Sequence, residues 1–248
     1  MLGLGTTISK TGKLGVHDLG IVTSNLVLKH NYDLSSVQPL SDGAAYFDGD
    51  DYIALSTKIT LEVETVASSI TFWARRSTIS GWNTVLGDRS SSGKSWILFN
   101  DSATSLYAES KTEGDTSIGT LVGANANEWH HYAVVFNGDK SVTFYQNGIL
   151  RSTSGVLDDD IDIDQIGLGY TNAAYFNGYL CNIGIWNGAA LTQAQVKSIM
   201  WKKYSDLTSS ETDDLVSWWN LDEETATDGT AGSGGVKDYH STNHGTLS

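Results

Sequence analysis

Residues Glu128–Thr153 read "EWHHYAVVFNGDKSVTFYQNGILRST". Three runs rich in Val, Phe and Tyr are parted by Asn137-Gly138-Asp139 and by Asn147-Gly148. Branched and aromatic side chains fit the half-buried face of a pleated strand, and Asn-Gly takes the positive φ that a tight hairpin requires. The stretch predicts an antiparallel meander.

The pattern extends in both directions. Upstream, "SSITFWARRS", "WNTVLGDR", "SWILFN", "SLYAES" and "TSIGTLVG" are strand candidates bounded by turn residues. Before them, "AAYFDGDDYIAL" sets an Asp-Gly-Asp-Asp turn between two β-prone runs, as in a hairpin. Downstream, "LDDDIDIDQIGLGY" and "AAYFNGYLCNIGIWN" continue the series. The period then changes. In "LTQAQVKSIMWKKY", Leu191, Ala194, Val196, Ile199 and Met200 fit one helical face, and Thr192 with Gln195 has capping-box spacing. Many short strands with one late helix predict an all-β fold, a two-sheet antiparallel β-sandwich, because each sheet must bury its apolar face against another layer. Residues 1–24, small, polar and without sustained period, read as an extended N-terminal arm.

Composition agrees: 26 Gly, 8 Trp and 11 Tyr with few long helix formers favour strands and tight turns. Acidic residues outnumber basic ones by 29 to 15, a net charge of −14. That argues against nucleic acid as a partner, since displacing phosphate counterions takes clustered cations. The longest apolar runs are a few residues, so no membrane insertion is expected, and the first residues lack the charged-then-apolar pattern of an export signal. The single cysteine, Cys181, leaves no internal disulfide and is expected to pack as a small apolar residue.

These residues together carry a family likeness. "NEWHHYAVVFNGDKSVTFYQNGIL" resembles the central hairpin of laminin-G-like, concanavalin A-like jelly-roll domains. "AYFDGDDYIAL" resembles their early strand pair, and "FNGYLCNIGIWNGAALTQAQVKSIM" their closing strand and short helix. The resemblance covers about residues 44–203 and implies a curved sandwich with jelly-roll connections. In that family a phrase of the form LVxxWxxDE…D…GNxGTL usually precedes the FDG strand. Here "LVSWWNLDE" and "DYHSTNHGTL" follow the helix instead, and "LVLKHNYD", Leu26–Asp33, matches Leu215–Asp222 in Leu, Val, Asn and Asp at equal spacing. The chain is accordingly divided into the arm, a jelly-roll domain over residues 25–204, and an extension over residues 205–248 that repeats the module's leading strand. A lone leading strand must pair with something. It either folds back on its own module, capping a sheet edge, or adds to a neighbouring subunit, with Leu215, Val216, Trp218 and Trp219 as the assembly residues. In an extended strand Trp218 and Trp219 would point one inward and one outward.

The N-terminal part, "MLGLGTTISKTG" with "GIVTSNLVLKHNYD" and "VQPLSDGAAYFDGDDYI", resembles the start of virion structural proteins of marine tailed phages, where a short arm precedes such a jelly roll. That resemblance implies a virion component assembled in the host cytoplasm, either capsid decoration or a tail or appendage part. Its partners would be other virion proteins or its own copies.

Catalytic chemistry finds little support. Retaining glycosidases hold two carboxylates about 5 Å apart, and the family's Glu-x-Asp-x-x-Glu strand is absent. Glu62 and Glu64 share a strand face by spacing but in a plain polar context, and Glu109 and Glu128 stand alone. His130 and His131 should face opposite ways, one packed and one exposed, with no Gly-x-Ser-x-Gly elbow to serve. The remaining histidines lack zinc spacing. The expectation is a non-enzyme without a cofactor.

Two binding chemistries remain. Calcium takes about six to eight hard oxygens, and Asp48, Asp50 and Asp51 in "FDGDDY" form the candidate site, with Asp158, Asp159, Asp160, Asp162 and Asp164 as a second acidic run. Family members often add an acid from the last strand, where this chain has Cys181 and Asn182. For carbohydrate, Trp82, Tyr107, Tyr170, Asn172 and Tyr175 lie in or near predicted loops and offer rings for stacking and an amide for hydroxyls. On that chemistry the alternative to a virion structural role is an adhesin module recognising host surface glycans.

Overall fold

The computed structural model describes residues 43–88, 95–100, 104–110, 116–155, 157–169, 174–223 and 235–248. In chain order they form β1 (Ala45–Asp48), β2 (Ile53–Leu61), β3 (Ser68–Arg76), β4 (Asn83–Gly87), β5 (Trp96–Phe99), β6 (Ser105–Glu109), β7 (Thr116–Thr120), β8 (His130–Phe136), β9 (Ser141–Gln146), β10 (Ile149–Gly155), β11 (Ile161–Ile166) and β12 (Asn177–Asn187). The helix α1 (Gln193–Ile199) follows, then β13 (Leu215–Trp219), β14 (Gly235–Val236) and β15 (Gly245–Leu247). The arm and Leu26–Asp33 lie outside the described residues.

Two antiparallel sheets face each other, as the sequence pattern requires. The first runs β1-β12-β3-β8-β9-β10, with β13 also on β12, and the second runs β14-β15-β2-β11-β4-β5-β6-β7. Between them the inward rows of both sheets interdigitate: Ile70, Phe72, Tyr132, Val134 and Phe144 meet Ile53, Leu61, Ile97, Phe99, Leu106 and Ile163. Phe99 of the second sheet lies 5.1 Å, centroid to centroid, from Tyr132 of the first, a T-shaped contact of the kind aromatic quadrupoles favour.

The meander β8-β9-β10 is as the opening stretch predicts. Its second turn places Asn147 at φ 53° and Gly148 at φ 69°, and the Asn147 side-chain oxygen accepts the His131 N–H at 2.9 Å. The Asp-Gly-Asp-Asp turn behaves otherwise. β1 pairs with β12 and β2 with β11 and β15, so the turn is a corner between sheets and not a hairpin. Alternation fixes which face a strand buries but is silent about its partner.

The helix begins where expected, with both halves of the Thr192/Gln195 capping box formed. It is short, seven residues, and Ala194 of the expected apolar face is exposed while Leu191, Val196, Ile199 and Met200 are buried. Leu191, Val196 and Ile199 cover the outer face of the first sheet and create a second apolar cluster with Ala133, Val135, Tyr145, Trp186 and Trp218. This roof corrects two expectations. Trp218 and Trp219 do point to opposite faces, yet both are buried, one in each cluster. His130 and His131 are likewise both buried, and burial pushes the His131 imidazole down to about 3. Glu62 and Glu64 sit in a turn after β2 and not on a strand.

The extension closes the same sandwich. β13 pairs with β12 beyond the part of β12 that β1 occupies, and β15 pairs with β2. The closing phrase is held by two polar side chains. Asp238 accepts the N–H groups of Trp218, His240 and Ser241 on Oδ1, and the Asn243 N–H and the Ser241 hydroxyl on Oδ2. Asn243 Oδ1 then accepts Thr57 N at 2.8 Å and Ser56 Oγ at 3.2 Å, pinning the loop to β2. Gly245 is required by close approach, since a Cβ there would stand 2.3 Å from Ile53 Cγ2. Leu215, Trp218 and Trp219, named as assembly residues, are therefore already packed within their own chain, and Val216 is half-buried against the core.

Candidate functional site

The outer face of the second sheet gathers the carbohydrate candidates. In β6, Leu106 and Ala108 enter the core, which turns Tyr107 outward. Register sets Tyr107 opposite Leu98 and Leu98 opposite Thr84. Trp82 directly precedes β4, in a loop fixed by Asn83 Nδ2, which donates to the carbonyls of Gly81 at 2.8 Å and Ser80 at 3.4 Å. Trp82 is 40% exposed, and its ring lies 6.0 Å from that of Tyr107 at 78°. The segment before β12 joins the same edge: Thr84 N donates to Ala174 O and Asn177 N to Asn83 Oδ1, which brings half-buried Tyr175 beside them in the chain. Tyr170 and Asn172 lie outside the described residues.

Residues not singled out from the sequence as carbohydrate candidates extend this face. Gln165, Gly87, Trp96 and Glu109 form the next cross-strand row. Glu109, which stands alone in the sequence, is 8% exposed. Gln165 donates Nε2–H to Gly169 O at 2.7 Å, while its buried Oε1 and the buried Thr84 Oγ1 have no partner among the described residues. Alternation in "SWILFN" already assigns Trp96 to the face opposite core residues Ile97 and Phe99; only its neighbours needed the register.

The carboxylates of this face are tied up. Lys58 Nζ bridges Asp88 at 3.2 Å and Asp162 at 3.1 Å, and Asp162 also accepts Thr60 Oγ1 at 2.7 Å. Burial alone would lower the Lys58 ammonium; the bonds to Asp162 and Asp88 outweigh it and raise the group. Asp158, from the same acidic run as Asp162, pairs with Lys140 at 2.7 Å, so that run does not converge on a cation site. Among the described residues, Asp48, Asp50 and Asp51 do converge, with a carboxylate oxygen from each within 4.8 Å of the others. The hydrogen bond with Asp48, and then its charge, holds the Asp50 carboxyl above the usual range and Asp48 below it. Calcium takes about six to eight oxygens from carboxylates, carbonyls and water; the nearby Asp48 carbonyl accepts a hydrogen bond from Asn177 Nδ2 at 2.9 Å.

Residues 47–197, more than half of the 248, match the laminin-G-type model of the concanavalin A-like lectin/glucanases superfamily. The chain belongs to this superfamily. Solved structures of similar fold include a Bacteroides ovatus protein described as a candidate carbohydrate binding protein, with a TM-score of 0.54 and 17% identity over 81% of this chain and 58% of that one. They also include a heptameric SAP-like pentraxin of Limulus polyphemus, with a TM-score of 0.51 and 13% identity over 63% of this chain and 80% of that one. At such identities the likeness is one of fold. A comparison with curated proteins gives no match. On the outer face of the second sheet, the Trp82–Tyr107 edge sets an exposed ring against a half-buried one.

Proposed function

We propose that this lectin-like jelly roll is a non-enzymatic carbohydrate-binding module that docks a glycan on the outer face of β4–β6. The observation that carries the reading is the mutually braced pair of exposed Trp82 and half-buried Tyr107. Two rings, one on the loop fixed by Asn83 and one on β6, offer apolar surface to pyranose C–H faces without a large ordering cost. Against catalysis stands the pairing of Asp88 and Asp162, two of the described carboxylates of that face, with one lysine. A glycan array followed by calorimetry tests the proposal. The wild-type chain should bind at least one glycan, and Trp82→Ala should weaken binding about ten-fold or more without changing the melt. Unchanged affinity in the variant, or no glycan bound by the wild type, would overturn it.

A second reading places the module on a phage particle, as capsid decoration or a tail component joined to other virion proteins or to its own copies. The specific support is the N-terminal likeness, most of which falls in residues 1–42. The two readings are compatible, since a displayed lectin could hold host surface glycans. Mass spectrometry of purified particles should find the chain as a stoichiometric component; its confinement to host lysate would remove this reading and leave the first intact.

A further inference from the structure

The first sheet carries an aromatic surface of its own, remote in register from Trp82 and Tyr107. Tyr46 of β1 lies opposite Tyr179 of β12, and Tyr179 opposite Arg75 of β3. Their strand neighbours Phe47, Leu180 and Ala74 are core residues, so this row faces outward. The Tyr46 and Tyr179 rings are 4.8 Å apart, Trp129 backs Tyr179 at 6.2 Å, and the Arg75 guanidinium sits 5.2 Å from the Tyr179 centroid. Tyr46 is 54% exposed, whereas Trp129 is buried and fixes the inner end of the row.

Arg75 is only partly used. Its Nε donates to Asn127 O at 3.0 Å, and that carbonyl is itself held because Asn127 N donates to Arg76 O at 2.7 Å. The two terminal nitrogens of Arg75 have no partner among the described residues. Arg76 makes the contrast: it turns inward, is 3% exposed, stacks on Phe99 at 4.4 Å and bonds Ala124 O. One arginine of the pair is built into the core, and the other is oriented by Asn127 and Tyr179 with its fork open.

We infer that Tyr46, Tyr179 and Arg75 form a second subsite, for carboxylated saccharides such as uronate chains. The planar guanidinium matches a carboxylate with two parallel N–H···O bonds, and the rings beside it offer stacking surface to the same sugar. The local charge sets the direction of the ligand. Beyond Tyr46, Asp51 and the exposed Leu247 line a cavity of about 370 Å³, so negative charge is disfavoured at the β1 end and favoured over Arg75. A neutral sugar would use the rings alone, whereas an acidic one uses rings and fork.

The inference goes beyond the module's proposed glycan site and fails separately from it. The probes are an oligogalacturonate and its fully methyl-esterified form, which keeps the rings and removes the charge, titrated calorimetrically at about 0.15 M salt, where distant charges are screened. The acid should bind about ten-fold or more tightly than the ester. Arg75→Gln should bring the acid to the ester's level, Tyr46→Ala should weaken both, and Trp82→Ala should leave the acid-to-ester ratio unchanged. Melting curves confirm folding of each variant. Equal binding of acid and ester, a preference surviving Arg75→Gln, or no binding of either probe overturns the subsite, while glycan binding that depends on Trp82 would still stand.

Discussion

Removing everything after Tyr204 tests whether the extension is part of the module's own fold. The cut deletes β13, β14 and β15, and with them Trp218, Trp219, Leu215, Leu221 and Val236, all at most 6% exposed. Fully burying a large apolar side chain stabilises by about 1.5–3 kcal/mol, so the five together contribute about 8–15 kcal/mol. A domain's whole stability is about 5–15 kcal/mol. The truncation also strips β12 and β2 of ladder partners and uncovers Trp186, which the Glu211 carbonyl accepts from at 2.8 Å. The truncated chain should therefore show no cooperative thermal transition and should bind a hydrophobic dye, while the full chain melts sharply. Trp219→Ala gives a graded version. It should cost about 3–5 kcal/mol, including loss of the Nε1–H donated to Asn243 O at 3.0 Å, read as a lowered urea midpoint at constant slope. A truncated chain that is a folded monomer with a sharp melt would refute the reasoning.

Asp238→Ala should destabilise by about 3 kcal/mol or more, because it leaves the buried Trp218 and Asn243 N–H groups without this acceptor; a urea midpoint within error of wild type would contradict it. Glu211 supplies a pH signature. Burial pushes its carboxyl up, but bonds from Lys202, Thr208 and Ser198 more than offset that and bring it to about 2. A lowered folded value means stability that is present above the ordinary carboxylate range and lost as pH falls toward 2. The gap between wild type and Glu211→Gln should be about 2 kcal/mol at pH 6, allowing for solvent screening, and should shrink steadily below pH 4; a gap independent of pH would count against the network. At the Asp48–Asp51 turn, whose acids sit on one exposed loop, adding calcium or a chelator should shift the melt by less than about 1 °C; a rise of several degrees with calcium would show a structural ion.

What was legible in the sequence was local chemistry. Asn147-Gly148 demands positive φ whatever surrounds it, and Thr192 with Gln195 satisfies the first turn of a helix whether that helix is long or short. What was not legible depended on partners. Alternation presumes that one face of a sheet is wet, and for the first sheet α1 and the segment after it make that false, which is why Trp218 and His131 are buried against expectation. The strand partners of "AYFDGDDYIAL" were equally hidden, because two adjacent runs can turn a corner between sheets as readily as they pair.

The same division explains the sites. Trp82 and Tyr107 were picked out as single aromatics near loops, and what makes them a pair is the β4-β5-β6 register, which carries Tyr107 across to the strand that Trp82 introduces. Tyr46, Tyr179 and Arg75 come from strands distant in the chain and acquire a common purpose only because β12 lies between β1 and β3. Arg75 and Arg76 are neighbours of one residue type, and composition assigns them one role. The pleat sends one into the core over Phe99 and leaves the other facing solvent beside Tyr179. A half-buried cation held by a backbone carbonyl and a ring, in a chain of net charge −14, is placed by packing and not by charge pairing. Removing its charge should consequently cost little stability, so that any loss of acidic-glycan binding in Arg75→Gln reports recognition and not folding.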